Sequence, residues 1–375
     1  MQELTGPLHG RADAKLELIV ERFSGFLEVD PDLSFQMAAY VGGRPVLDVW
    51  GGPHLGEHSL MVPFSVSKNT IGLSVALLVD RGQIDLDTPV AEYWPEFSAA
   101  GKSAVTVRQL LSHQAGLPTA SPRLTWKELL DPHAGAAKLA ATRPFWHPGS
   151  AFGYHGLTIG NLASELVYRI TGATLQEFYE REIRSHIGAD FYLGLPPELE
   201  SRRVDVLEMI PPLAERPSWT PTPYASWVFG PHEGAPQDEA NDPRTWRSGH
   251  PAHASTASAR GIAQVLAATV TGLGDRPAML SQETVTIISQ QQVRGYDEVL
   301  GQNDRAHSIV FQKPSKVFSW GGPRSFGHDG ARGAVACADP DTAVAFAYTI
   351  ARGPFPGGAD PRAIIAAREI GEISW

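Results

Sequence analysis

The chain has 375 residues, 42% of them hydrophobic and 19% charged, which allows a substantial core and argues against disorder. Its formal net charge of −10, from 31 basic and 41 acidic residues, gives no reason to expect nucleic acid or an anionic membrane as a partner. Residues 1–10 hold no apolar leader, no run is apolar enough to span a bilayer, and Cys337 stands alone, so no intrachain disulfide is possible and a cytoplasmic protein is the expectation.

In chain order, residues 13–27 carry Leu16, Ile19, Val20, Phe23 and Leu27 at the spacing of an amphipathic helix. Residues 34–40 and 46–50 read as strands joined by the Gly42-Gly43-Arg44-Pro45 turn. Next comes Pro63-Phe64-Ser65-Val66-Ser67-Lys68-Asn69-Thr70, leading into an apolar helix that Gly82 closes. Helices are expected at 106–113, with Thr106 as its cap, and at 125–130, 135–141, 158–171 and 175–187. The aromatic, glycine-rich residues 145–156 read as a loop. Residues 196–251 are broken by prolines and read as an irregular cover, with Trp219, Tyr224, Trp227, Phe229 and Trp246 either lining a pocket or pinning the loop to the core. Helices at 255–271 and 281–290 precede strands at 308–311, 316–320, 334–338 and 343–350, and a helix at 362–370 closes the chain.

Strands at both ends and helices between them predict an α+β fold, an α/β sandwich. One antiparallel sheet is built from residues 1–80 and 252–375. A mostly helical region, 81–251, is inserted, and it includes the irregular cover.

Three features carry chemistry. Ser65 and Lys68 lie three apart at a helix start, so they share one face, where the helix N-terminus favours developing negative charge. A lysine kept neutral by apolar surroundings can take the serine proton, and of all the serines only Ser65 has lysine at +3. A capping serine beside a surface lysine is the plainer alternative. The second feature is Tyr154 in His147-Pro148-Gly149-Ser150-Ala151-Phe152-Gly153-Tyr154-His155-Gly156, whose hydroxyl either enters a cleft or packs. The third is Trp320-Gly321-Gly322 with Phe326-Gly327-His328-Asp329-Gly330-Ala331-Arg332-Gly333, a run of glycines that suggests a sheet edge exposed to a ligand. A backbone N–H there, with that of Ser65, would form an oxyanion hole.

In this order and spacing the three features resemble the serine β-lactamase and penicillin-binding-protein-like group, and most closely its esterase branch, the family VIII carboxylesterases. The likeness extends to residues 106–118, to Thr171-Gly172 and to Ala338-Asp339-Pro340, and covers roughly 13–370 with 196–251 poorly matched. The resemblance implies Ser65 as nucleophile, Lys68 as its proton partner, and Tyr154 as a second general base that relays a proton to the leaving alkoxide. It also implies an oxyanion hole from the Ser65 and Ala331 N–H groups, with Trp320, Gly321, His328 and Gly330 bordering the substrate.

Two departures narrow the chemistry. The β-lactamases of this type carry asparagine two after the tyrosine, where this chain has Gly156. Their third motif opens with a lysine that attracts the antibiotic carboxylate, where this chain has His328. Both point to small or medium uncharged esters, hydrolysed through an acyl-Ser65 intermediate without a cofactor or metal and with little β-lactamase activity. Amidases, peptidases and acyltransferases share the fold, and a catalytically silent binding protein is the alternative from another class. No G-x-S-x-G elbow, H-E-x-x-H motif or metal-binding cysteine set occurs.

Overall fold

The two ends of the chain meet in one sheet. A computed structural model describes residues 1–212, 215, 221–316 and 318–375. Its strands are β1 (Gln2–Glu3), β2 (Leu8–Ala12), β3 (Phe35–Val41), β4 (Arg44–Gly51), β5 (Phe191–Tyr192), β6 (Thr256–Ala257), β7 (Val293–Asp297), β8 (Gln302–His307), β9 (Phe326–Asp329), β10 (Val335–Asp339) and β11 (Val344–Ile350). Seven of them form an antiparallel sheet in the order β1-β2-β4-β3-β11-β10-β9, so the N-terminal hairpin pairs with the C-terminal strands through β3 and β11. The mixture of helix and antiparallel sheet is the expected α+β class.

The pleat sends alternate residues to opposite faces. On one face Phe35, Phe346, Tyr348 and Ile350 pack with Phe23 of the Glu17–Val29 helix and with Ala363 and Ile370 of the Pro361–Glu372 helix. The other face presents Ala38, Ala336, Ala338, Ala345 and Ala347. Those small side chains let the Ala259–Leu266 helix sit close over β3, β10 and β11. Every residue of β3, β10 and β11 is buried, as strands covered on both faces are.

The Lys68–Asp80 helix lies in this second layer, and all of it from Lys68 to Leu78 is buried. Gly72 in its middle serves close packing: a Cβ there would stand 2.3 Å from the Phe311 ring. Thr106 caps its helix as expected, in a reciprocal capping box with Gln109.

Several expected elements differ. Residues 308–311 form no strand but a reversal in which Val310 takes a φ of 68° and Phe311 turns inward onto Gly72. Of residues 316–320, Val317 lies outside the described residues and the others are likewise not in a strand: the Ser315 N–H bonds the Phe318 carbonyl. The polar segments of β7 and β8, and the short β2, carry too weak a period-2 pattern to be legible. The helix expected at 255–271 starts only at Ala259, after a Ser258 cap, because Thr256 and Ala257 pair with β5. Among the described residues no helix is long and apolar enough to cross a membrane.

Candidate active site

Ser65 stands in a tight 3-10 turn, Phe64–Ser67, that runs directly into the Lys68–Asp80 helix. Phe64 takes a φ of 52°, a left-handed conformation that costs about 1–2 kcal/mol for a residue with a Cβ. The bend is held from the far side, where the Ser67 hydroxyl lies 2.6 Å from that of Ser255 and accepts the Ser255 N–H at 3.1 Å. This tie also brings residues 252–255 against the helix start.

There the Ala252 carbonyl accepts a hydrogen bond from Lys68 Nζ at 2.7 Å, and the same nitrogen lies 3.0 Å from Ser65 Oγ. Lys68 is fully buried. Desolvation holds its pKa well below the ordinary lysine range, against an opposing pull from the Asp329 carboxylate. The site therefore favours the neutral amine, whose lone pair can receive a proton. A surface lysine it is not.

Tyr154 comes from the 145–156 loop, and its backbone N–H is fixed by both carboxylate oxygens of Asp297 at 3.1 Å. Its hydroxyl lies 2.9 Å from Ser65 Oγ and 3.4 Å from His328 Nε2. Burial pushes the phenol pKa up, an effect only partly offset by the bond to Ser65, so the group rests protonated. Lys68 Nζ lies 4.9 Å from the centre of the Tyr154 ring. Ser65 Oγ is thus flanked by an amine that favours its neutral form and a phenol that keeps its proton.

His328, in β9, is fully buried. Its Nδ1 lies 2.7 Å from the Asp329 carbonyl, which can only accept, so the proton sits on Nδ1 and Nε2 faces the Tyr154 hydroxyl as an acceptor. Desolvation lowers its pKa, although Asp329 opposes the shift. A neutral imidazole is no anchor for an anion.

Gly330 fits between the two halves of the site. A Cβ on it would stand 2.3 Å from the Pro63 carbonyl, so glycine lets the 330–331 backbone lie directly against the turn that carries Ser65. Ala331 and Ser65 line one pocket, and among the described residues neither backbone N–H donates to another protein group. Two amides without a protein acceptor on one pocket wall are the kind of donor pair that an oxyanion would need.

The pocket encloses about 760 Å³, a volume suited to a small or medium organic substrate. Its walls include Leu300, Phe318, Phe355 and Ile364, together with Ala225 and Phe229. The last two belong to the Pro223–Phe229 helix, so this part of the proline-rich segment does border Ser65. Tyr224 pins that helix to Phe145 and Trp146, while Trp227 packs on Phe145. Trp246 is buried in a separate cluster with Leu55 and Tyr192, and Trp219 lies outside the described residues.

Trp320 and Gly321 do not line the pocket. Trp320 packs into the core against Phe318, and Gly321 abuts Ser325 and Asp339. Phe318 and Ser319 line the wall instead. His328 and Gly330 stand behind the pocket surface, touching Tyr154 and Pro63 respectively.

Sequence reasoning missed Ala252, whose contribution is a carbonyl and leaves no side-chain signal. It also missed Asp297 and Arg305, which sit on β7 and β8. Arg305 and His307, two apart on a strand, share a face, but only knowledge of the strand makes that spacing informative. Among the described residues, no group of His, Cys, Asp and Glu is arranged to hold a metal ion.

The family model described as Beta-lactamase matches residues 29–369. The chain is 31% identical over 359 residues to the Esterase/beta-lactamase LipL of Mycobacterium tuberculosis, covering 90% of this chain and 81% of that protein. Among solved structures, EstA from Arthrobacter nitroguajacolicus Rue61a is similar at 41% identity and a TM-score of 0.90, covering 96% of this chain and 97% of EstA. A family VIII carboxylesterase is similar at 28% identity and a TM-score of 0.87, covering 97% and 99% of the two chains.

Proposed function

The chain belongs to the Beta-lactamase family, and from that premise we propose that it is a serine carboxylesterase acting through an acyl-Ser65 intermediate. The observation that carries this reading is Ser65 Oγ lying 3.0 Å from the desolvated Lys68 amine and 2.9 Å from the Tyr154 hydroxyl, at the wall of the pocket. The names Esterase/beta-lactamase LipL and family VIII carboxylesterase support it.

In acylation the Ser65 proton passes to neutral Lys68 while Oγ bonds to the ester carbonyl carbon. The carbonyl oxygen becomes an oxyanion and takes hydrogen bonds from the Ser65 and Ala331 N–H groups. When the intermediate collapses, the carbon–alkoxide bond breaks, and Tyr154 gives its proton to the departing alkoxide. The phenolate then acts as a base and recovers a proton from the Lys68 ammonium. The high pKa of Tyr154 suits this order, donor first and base second. In deacylation water takes the alcohol's place: it loses a proton to the same pair, adds to the acyl carbon, and Ser65 Oγ leaves and is reprotonated.

Turnover of β-lactams is expected to be slow. At the position where the family's β-lactamases hold asparagine, a Cβ on Gly156 would stand 2.6 Å from the Phe229 ring, so an aromatic side chain occupies the space an amide would need.

The test is hydrolysis of p-nitrophenyl butyrate by the parent, Ser65→Ala and Tyr154→Phe. Loss of about 10³-fold or more in kcat is expected for Ser65→Ala. Full activity in that variant would remove Ser65 from the chemistry.

A further inference from the structure

The wall of the Ser65 pocket holds a cation that, among the described residues, makes no hydrogen bond or ion pair. Arg305, on β8, is only 4% exposed, yet it lines the pocket. Among the described residues its guanidinium forms no hydrogen bond and no ion pair, and it lies over the Phe318 ring, whose centre is 4.7 Å away. A buried charge without a partner is costly, and a guanidinium presents five donors in a planar fork that matches a carboxylate.

Two carboxylates stand near enough to feel this charge. Each is occupied elsewhere. Asp329 accepts from Gln312 Nε2 at 2.7 Å and from the Ala359 N–H at 3.1 Å. Asp297 accepts the N–H groups of Tyr154, Val299 and Leu300. Gln302, also at the pocket, adds an amide on the same strand.

We propose that Arg305 forms an anion subsite, and that the substrates this enzyme prefers are esters bearing a carboxylate away from the scissile bond. The inference rests on the esterase reading of Ser65. It replaces the expectation of uncharged esters, which rested on Gly156 and on the loss of a cation at His328: the cation is supplied from β8 instead. A carboxylate drawn to Arg305 orients the ester within the pocket, and the apolar wall around Phe318 and Ile364 packs against the chain between the two groups.

The experiment compares kcat/KM for matched pairs. One set is the p-nitrophenyl monoesters of succinate, glutarate and adipate against the butyrate, valerate and hexanoate esters. The other is the acetyl ester of 4-hydroxybenzoate against phenyl acetate, which places the charge on the alcohol side. In the parent, at least one anionic member should exceed its neutral partner by about tenfold, the scale of one charge-assisted hydrogen bond. Arg305→Gln should lower that ratio by at least about tenfold, and Arg305→Lys should lower it less.

No preference for any anionic member in the parent would overturn the proposal, and this arm holds even if the variants do not fold. A ratio unchanged in Arg305→Gln would also overturn it, showing that Arg305 only balances Asp297 and Asp329. Neutral-ester turnover that still depends on Ser65 would then leave the esterase reading standing, whereas activity surviving Ser65→Ala would remove that reading itself.

Discussion

Gly330→Ala tests the geometry of the oxyanion site without touching a group that moves a proton. The added Cβ would stand 2.3 Å from the Pro63 carbonyl, while real Cβ contacts essentially never fall below 3.0 Å, so the backbones must part by about 0.7 Å. Both sides of the contact are main chain, and Gly330 also bonds the Ala334 carbonyl at 2.8 Å, so neither side yields by a rotamer change. The Ala331 N–H moves with residue 330. A misplacement of about 1 Å in a catalytic array costs on the order of 10²-fold, and loss of one oxyanion donor costs about 10²–10³-fold. The expected result is therefore a fall in kcat of about 10²-fold with KM little changed, because the pocket walls stay in place. The overpacking should lower stability by about 1–3 kcal/mol. Steady-state hydrolysis of p-nitrophenyl butyrate and a thermal melt read the two effects. A variant within about threefold of the parent in kcat would show that the 330–331 backbone does not position the reacting carbonyl.

The other outcomes follow from the same burial. The kcat/KM for a neutral ester should rise on the acid side, with its limb far below the ordinary lysine range, because Lys68 must be neutral to accept the Ser65 proton. It should then stay flat through about pH 10, where an unperturbed tyrosine begins to ionise, because burial raises the Tyr154 pKa. Lys68→Met should lose about 10³-fold in kcat and change the pH dependence of stability. Because burial lowers the Lys68 pKa in the folded parent, the unfolded chain binds that proton at higher pH than the folded one, so the parent gains stability as pH rises towards about 10.5 and the variant lacks that part of the gain. A cephalosporin reporter should be turned over far more slowly than the butyrate ester, and efficient turnover would refute the role given to Phe229 at Gly156.

The parts of the fold that were legible are those in which one local signal dominates. The apolar runs of β10 and β11, the helix cap at Thr106 and the period of the 158–171 helix each follow from side chains within one segment. The polar segments VRGYD and QNDRAH did not read as strands, because their pairing is decided by partners rather than by alternation. The run at 308–311 misled for the opposite reason: its apolar side chains are buried by a reversal of the chain, with Phe311 turned onto Gly72.

The site divides along the same line. Ser65 and Lys68 were legible because three residues on a helix start fix their proximity. Tyr154 and Ala331 needed the order of motifs along the chain. Trp320, set beside the substrate by the family resemblance, instead packs into the core against Phe318. Arg305 gave no signal, since its meaning lies in the absence of a partner, which only the packed structure reveals.

The esterase reading stands on covalent acylation of Ser65. It is tested most directly by mixing the enzyme with p-nitrophenyl butyrate, quenching in acid within the first turnover, and mapping peptides by mass spectrometry. A butyryl group is expected on the peptide containing Ser65, absent in Ser65→Ala and accumulating in Tyr154→Phe. An acyl group on any other residue in the actively hydrolysing parent would contradict it.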